Sequence, residues 1–247
     1  MVAGKKAWLL FLIALSLALT ACSKPASQKA EEPANSKSSG TQQCSIEERL
    51  LIQAGGLVFD PAAGKPAIPA ELDTSGQPRQ GRYLYIVQLK DYGAQAAALR
   101  EKLAAAGAAL SDHYIPDNAV LAMMDREQAA KVKALDFVRA VVPYLAAYKI
   151  DASLKTAGGD IRPDIGQIPI MVTTWTVADK PEVLGIVRQL GGEVLDGADS
   201  HTNRLAVALS KEQVLKLVQS PLVVKMARAV PQTRADSGGT KQTVDYG

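Results

Sequence analysis

The chain has 247 residues, 47% hydrophobic and 21% charged, a globular profile that excludes wholesale disorder. Its formal charge of +3 offers no basic field for nucleic acid, and two cysteines with two histidines exclude a disulfide scaffold, a four-cysteine metal site and a histidine-rich one. Aromatic residues are only 5%, so the core is expected to be built from Ala, Val, Leu and Ile.

Lys5 and Lys6 open the chain, and Ala7 to Leu19 follow with no charge. That run fits the apolar part of a secretory signal and is shorter than the roughly 18–20 residues that cross a bilayer. Leu19-Thr20-Ala21-Cys22 comes next, with small residues directly before a cysteine. This order resembles the lipobox of bacterial lipoproteins. The resemblance implies cleavage between Ala21 and Cys22, a thioether-linked diacylglycerol on Cys22 and acyl chains that hold the protein to a membrane. The location expected is the extracytoplasmic face of the cell membrane. Ser23 after the cysteine, rather than an aspartate, points to the outer membrane where the organism has one. With Cys22 consumed, Cys44 has no intrachain partner.

Ser23 to Gln43 contain no Leu, Ile, Val, Met or aromatic residue. Such a segment cannot bury enough apolar surface to offset its ordering entropy. It reads as a disordered tether reaching about 25 Å. Ser45-Ile46-Glu47-Glu48 has capping-box spacing ahead of Leu50, Leu51 and Ile52, which predicts a short helix stopped at Gly55 and Gly56. From there to Arg82, prolines and glycines predict irregular chain.

Two similar segments follow. Each opens with a strand, Tyr83–Leu89 and Ile168–Val172, with Pro169 delaying the second. A helix comes next in each. Leu99, Leu103 and Ala106 share one face in the first; Val183, Ile186, Val187 and Leu190 make a stripe in the second, with Asp179 able to cap. Gly107 and Gly191 suit left-handed helix ends. A hairpin is expected around Pro116-Asp117-Asn118, and its counterpart lies between Glu193 and Leu209. Asp125 and Ser210 each stand three residues before a glutamine, at the start of a second helix. Phe137–Val142 and Leu222–Met226 close the two copies as strands.

Strand, helix, strand, strand, helix, strand is the ferredoxin-like order. The fold class expected is α+β: two ferredoxin-like βαββαβ domains with antiparallel sheets, after a disordered tether. The organisation is then a signal segment (1–21), a tether (22–44), a short helix and lead-in (45–82), a first domain (83–150), a second, degenerate domain (160–232) and a flexible tail (233–247).

The first strand carries large apolar residues on both sides: Tyr83, Tyr85, Val87 and Leu89 alternate with Leu84 and Ile86. Helices bury one side of a sheet. The remaining Tyr and Leu surface is either a docking face for another macromolecule or is covered by the Gly/Pro-rich segment or the other repeat.

Tyr85-Ile86-Val87-Gln88-Leu89-Lys90, Gly107-Ala108, Tyr114-Ile115-Pro116-Asp117-Asn118-Ala119, Phe137-Val138-Arg139-Ala140-Val141-Val142-Pro143-Tyr144 and Ala147-Tyr148-Lys149-Ile150 together resemble the propeptide, or peptidase-inhibitor, domain of subtilisin-like serine proteases. Phe59-Asp60-Pro61 resembles the lead-in of long precursors with two such modules in series. The likeness spans roughly 57–230 and is weaker in the second repeat. It implies a module that binds, and inhibits or assists the folding of, a subtilisin-like serine protease. Docking would use the open sheet face, here Tyr83, Tyr85, Val87 and Leu89. The segment leaving the last strand, Tyr144 and Leu145 or Val230 and Pro231, would lie in the active-site cleft. Pro231 lacks an N–H and interrupts backbone pairing there.

Catalytic segments expected of such a protease, His-Gly-Thr-His and Gly-Thr-Ser-Met, do not occur. Asp73-Thr74-Ser75-Gly76 lies among prolines, and His113 and His201 read as ordinary polar residues. Asp196, Asp199 and His201 read as loop polarity rather than metal ligands. The chain is therefore expected to be no enzyme and to use no metal or cofactor. The second function class is a non-inhibitory interaction module of the cell envelope. A small-ligand sensor is a third.

Overall fold

In the computed structural model the described residues are 50–77, 81–91, 93, 95–116, 118–196 and 201–230, with two short strands beyond them. The signal segment, Ala21, Cys22, Cys44, the tether and Ser45–Glu48 lie outside them, as does Pro231.

From Ile52 the lead-in is a hairpin; of the short helix expected ahead of Gly55, residues 45–48 lie outside the described residues, Leu50 is in a 3-10 turn and Ile52–Ala54 are strand. Strands β1 (Ile52–Ala54) and β2 (Leu57–Phe59) pair antiparallel, Ile52 opposite Phe59. Gly55 and Gly56 turn the corner with φ of +57° and +79°, which a two-residue hairpin of this hand requires. Ile52, Ala54 and Phe59 are buried, while Gln53 and Val58 face out.

The first repeat follows as β3 (Tyr83–Leu89), α1 (Ala96–Ala105), β4 (Ala109–Ile115), β5 (Ala119–Met124), α2 (Arg126–Lys133) and β6 (Val138–Pro143). A linker carries the short helix α3 (Ala146–Lys149). The second repeat is β7 (Ile170–Thr174), α4 (Lys180–Gln189), β8 (Glu193–Asp196), β9 (Arg204–Ala208), α5 (Lys211–Leu217) and β10 (Val223–Arg228). The fold is mixed α/β with antiparallel sheets. The first sheet runs β4-β5-β3-β6 and the second β10-β7-β9-β8, every neighbouring pair antiparallel. At the C-terminal end β11 (Gln232–Thr233) pairs with β12 (Val244–Asp245), so Thr233 and β12 form strand within the stretch expected to be flexible.

Local chemistry explains the helix ends. Asp125 and Ser210 both form capping boxes, each accepting from the glutamine N–H three residues on, whose side chain accepts from the cap N–H. Asp179 acts differently: its carboxylate accepts from Thr176 one turn earlier and makes no cap bond to α4. Gly107 and Gly191 have φ of +98° and +76°. The N–H of Ala108 then reaches Leu103 O and that of Gly192 reaches Val187 O, closing the two helices in the same way.

Packing distinguishes the two sheets. On one face of the first, Tyr85, Val87 and Leu89 pack with Leu99 and Leu103 of α1 and with Ala129 and Val132 of α2. On its other face, Leu84, Ile86, Leu121 and Met123 join a second cluster that contains Ile52 and Phe59 of the hairpin, Tyr144 and Tyr148 of the linker, and Ile150 through Ile168 beyond. That cluster runs on into the second repeat, to Ile170, Val172, Leu205 and Val207 under Val183, Val187, Val214 and Leu217 of its helices. Residues 43–247 form one unit. β3 is buried along six of its seven residues, whereas β7 alternates buried and half-buried. A sheet covered on both faces needs the first pattern and a sheet covered on one face produces the second.

A polar clamp fastens the hairpin. Arg139 of β6 donates to both carboxylate oxygens of Asp60, through Nη2 at 2.7 Å, and to Gln88 Oε1 at 2.6 Å. Gln88, only 1% exposed, donates in turn to Leu50 O. Hydrogen bonding to the Arg139 guanidinium holds the Asp60 carboxyl below the usual range.

The hairpin is thus part of the core, with a measurable outcome. Phe59→Ala should lose about 3–5 kcal/mol in urea unfolding, while Val58→Ala, on the outer face and 60% exposed, should stay within about 0.5 kcal/mol of the parent.

Candidate functional site

The expected docking residues do not form a free surface. Tyr85, Val87 and Leu89 lie under α1 and α2, and Tyr83 packs half-buried against the same cluster. They face the helices because the parity of β3 places them on that side. The opposite side, Leu84 and Ile86, is sealed by the hairpin and linker of the same chain. Tyr144 and Leu145 are 8% and 4% exposed, so the first exit segment is also interior. Val230 differs: it is 73% exposed at the end of the second repeat.

Two aromatic contacts and two lysines hold the linker between the repeats. Phe59 stacks on Tyr148 with ring centres 4.9 Å apart, and Tyr144 lies 6.1 Å from Tyr148. The Tyr144 hydroxyl donates to Tyr148 O at 3.2 Å. Burial pushes the Tyr144 hydroxyl well above the usual tyrosine range and Tyr148 up to about 12.

Lys149 is 4% exposed and its ammonium donates to Val218 O at 3.1 Å and Ser220 O at 2.7 Å, at the C-terminal end of α5. A cation is favoured at that pole of a helix. Lys155 donates to Gly55 O and Ala147 O, both at 2.7 Å, tying the hairpin turn to α3. All four acceptors are backbone carbonyls rather than carboxylates. Burial therefore lowers Lys149 to about 7 and Lys155 to about 8. Gly55 makes this approach possible: a Cβ there would stand 2.3 Å from Ala147 O.

Two cavities flank the linker. One of about 270 Å³ is lined by Gln53, Gly55, His113, Tyr148, Asp151 and Lys225, among others. Lys225 pairs with Asp151 at 3.2 Å, and desolvation together with the Lys225 charge lowers His113. The other, of about 360 Å³, contains Thr74, Gln77, Tyr83, Tyr144, Lys149 and Gln219. Asp73, beside Thr74, is bound by Lys65 and Ser75 in a turn, so it serves local structure. His201 is an exposed loop residue, and Asp199 lies outside the described residues. Among the described residues no group of three or more His, Cys, Asp or Glu could hold a metal ion, and no helix is long and apolar enough to cross a membrane.

The second sheet has what the first lacks. The register puts Met171 and Thr173 of β7 on the side away from α4 and α5, beside Ala206 of β9 and Lys225 and Ala227 of β10. None of these belongs to either buried cluster. Met171, Thr173, Ala208, Lys225 and Ala227 are half-buried, and Arg204 at the rim is exposed.

The model of a domain of unknown function, DUF8729, matches residues 52–145. The matched stretch opens on β1 and ends at Leu145, so it takes in the hairpin together with the first repeat. No curated protein matches the chain.

Buried Lys149 and half-buried Lys155 set a pH dependence. Between about pH 7 and the usual lysine value of 10.5, the folded chain binds fewer protons than the unfolded one, so stability rises with pH across that interval. From pH 7 to 9 the gain from Lys149 should be on the order of 1–2 kcal/mol. Urea unfolding of the parent should show it, and Lys149→Met should remove most of it.

Proposed function

We propose that the chain is a lipid-anchored, extracytoplasmic protein-binding module of two ferredoxin-like units, with no enzymatic activity of its own, and that it docks its partner through the second unit. The lipobox-like Leu19-Thr20-Ala21-Cys22 and the polar run behind it support the anchor and tether. The element order and the antiparallel strand orders support the paired units.

The observation that carries the docking assignment is the contrast between the sheets. A partner that lays surface on an open sheet face finds the first one occupied by Ile52, Phe59 and the linker. On the second it finds Met171, Thr173 and Ala227, half-buried side chains outside both buried clusters, with exposed Val230 leaving the last strand. Face and exit segment are both accessible there, the combination that the propeptide-like docking mode needs. The resemblance makes a subtilisin-like serine protease the partner class. The sealed face and buried exit segment of the first repeat, where the likeness is better, favour the second reading, a non-inhibitory cell-envelope interaction module.

Titration of the full chain against a subtilisin-like protease tests this. Slower peptide hydrolysis at about micromolar concentration, relieved by Thr173→Arg and not by Val58→Arg, is the expected outcome. Unchanged hydrolysis, with a non-protease captured from membranes in a Thr173-dependent way, would establish the second reading; capture insensitive to Thr173→Arg would reject the docking face.

A further inference from the structure

The cavity of about 360 Å³ beside Lys149 has a lining suited to one kind of ligand. Its volume falls within the range of small-molecule sites, and it lies where the linker meets α5 of the second repeat, a junction of the sort that such sites favour. Among the described residues its charged lining residue is Lys149, and no Asp or Glu lines it. Lys149 is nine-tenths buried, and its ammonium has three N–H groups, of which Val218 O and Ser220 O take two. Thr74 Oγ1 accepts from the Ala146 N–H at 3.2 Å, which leaves its own O–H free to donate. Gln77, Tyr83 and Gln219 add two amides and a hydroxyl around the mouth.

We propose that this cavity binds a small monocarboxylate bearing a hydroxyl or amide, with Lys149 as its counter-charge and Thr74, Tyr83 and the two glutamines as its hydrogen-bonding rim. The reasoning is electrostatic. A single cation, already shared with two carbonyls, balances one negative charge and not the two of a phosphate. The carbonyl end of α5 contributes a partial negative charge of about one half, so the net field supports a monoanion at most. A free amino acid would bring an ammonium into a lining with no carboxylate to receive it, and its desolvation would be uncompensated. A hydroxy acid or an N-acylated amino acid avoids this and uses the neutral donors. Asp73, the neighbour of Thr74 in sequence, is paired with Lys65 and is not among the described lining residues.

The test is calorimetric titration of the full chain, purified in detergent and held at about pH 6, below the Lys149 value of about 7 so that the ammonium is charged, with lactate and N-acetylalanine, against lactamide, alanine and inorganic phosphate. Saturable binding of lactate or N-acetylalanine is expected, with none of the three contrast compounds binding as tightly. Lys149→Met should weaken it about tenfold or more, the loss of a hydrogen bond to a charged group. Should that variant fail to fold, Thr74→Val keeps the lysine and should weaken binding severalfold. Absence of binding up to about 10 mM, equal binding of lactamide, tighter binding of phosphate, or binding unaffected by the folded variants would each overturn the assignment.

Discussion

A sheet with apolar side chains on both faces must be covered twice, and that requirement organises this molecule. Helices α1 and α2 satisfy one face of the first sheet; the hairpin Ile52–Phe59 and the linker from Tyr144 satisfy the other. Burying Ile52 and Phe59 contributes about 1.5–3 kcal/mol each. The Arg139–Asp60 pair and Gln88 then fix the hairpin's position without leaving a buried polar group unpaired. Because the linker that covers the first sheet continues into the second repeat, the two repeats share one cluster rather than two. Ile150 also forms a parallel bridge to Met226 on the β10 edge, which extends the junction by backbone pairing.

The same order of elements therefore produces two different surfaces. In the first repeat, Leu84 and Ile86 stand where the second has Met171 and Thr173, and the larger apolar pair is the one that is covered. Met171, Thr173, Ala208 and Ala227 are half-buried there, so the second face is left half-open. The proposed function builds on this asymmetry: the first repeat is joined to its own lead-in, and the second keeps the half-open face assigned there to a partner.

Much of the local structure was legible. The glutamine three residues after Asp125 and after Ser210 specified both capping boxes, and Gly107 and Gly191 marked the helix ends, because those signals are local and chemical. β3 spanned the residues its composition indicated, and β7 began after Pro169 as that residue requires. Which side of β3 the helices cover was not legible, since a period of two is satisfied equally by Tyr85, Val87 and Leu89 or by Leu84 and Ile86. The hairpin did leave a signal: Gly55-Gly56 flanked by Ile52-x-Ala54 and Leu57-x-Phe59 is a two-residue turn between alternating residues. The capping-box spacing at Ser45 competed with it. Lys149 gave the faintest sign, a lone lysine within the uninterrupted apolar run that ends at Ile150, and its carbonyl partners lie about seventy residues away.

Hydrogen exchange by mass spectrometry on the full chain addresses the double cover most directly, because a segment sealed into a core exchanges only when the core opens. The account requires Ile52–Phe59 and Tyr144–Ile150 to exchange as slowly as the central strands β3 and β5. Fast exchange in those two segments while β3 and β5 remain protected would contradict it, and would return the Leu84 and Ile86 face to solvent.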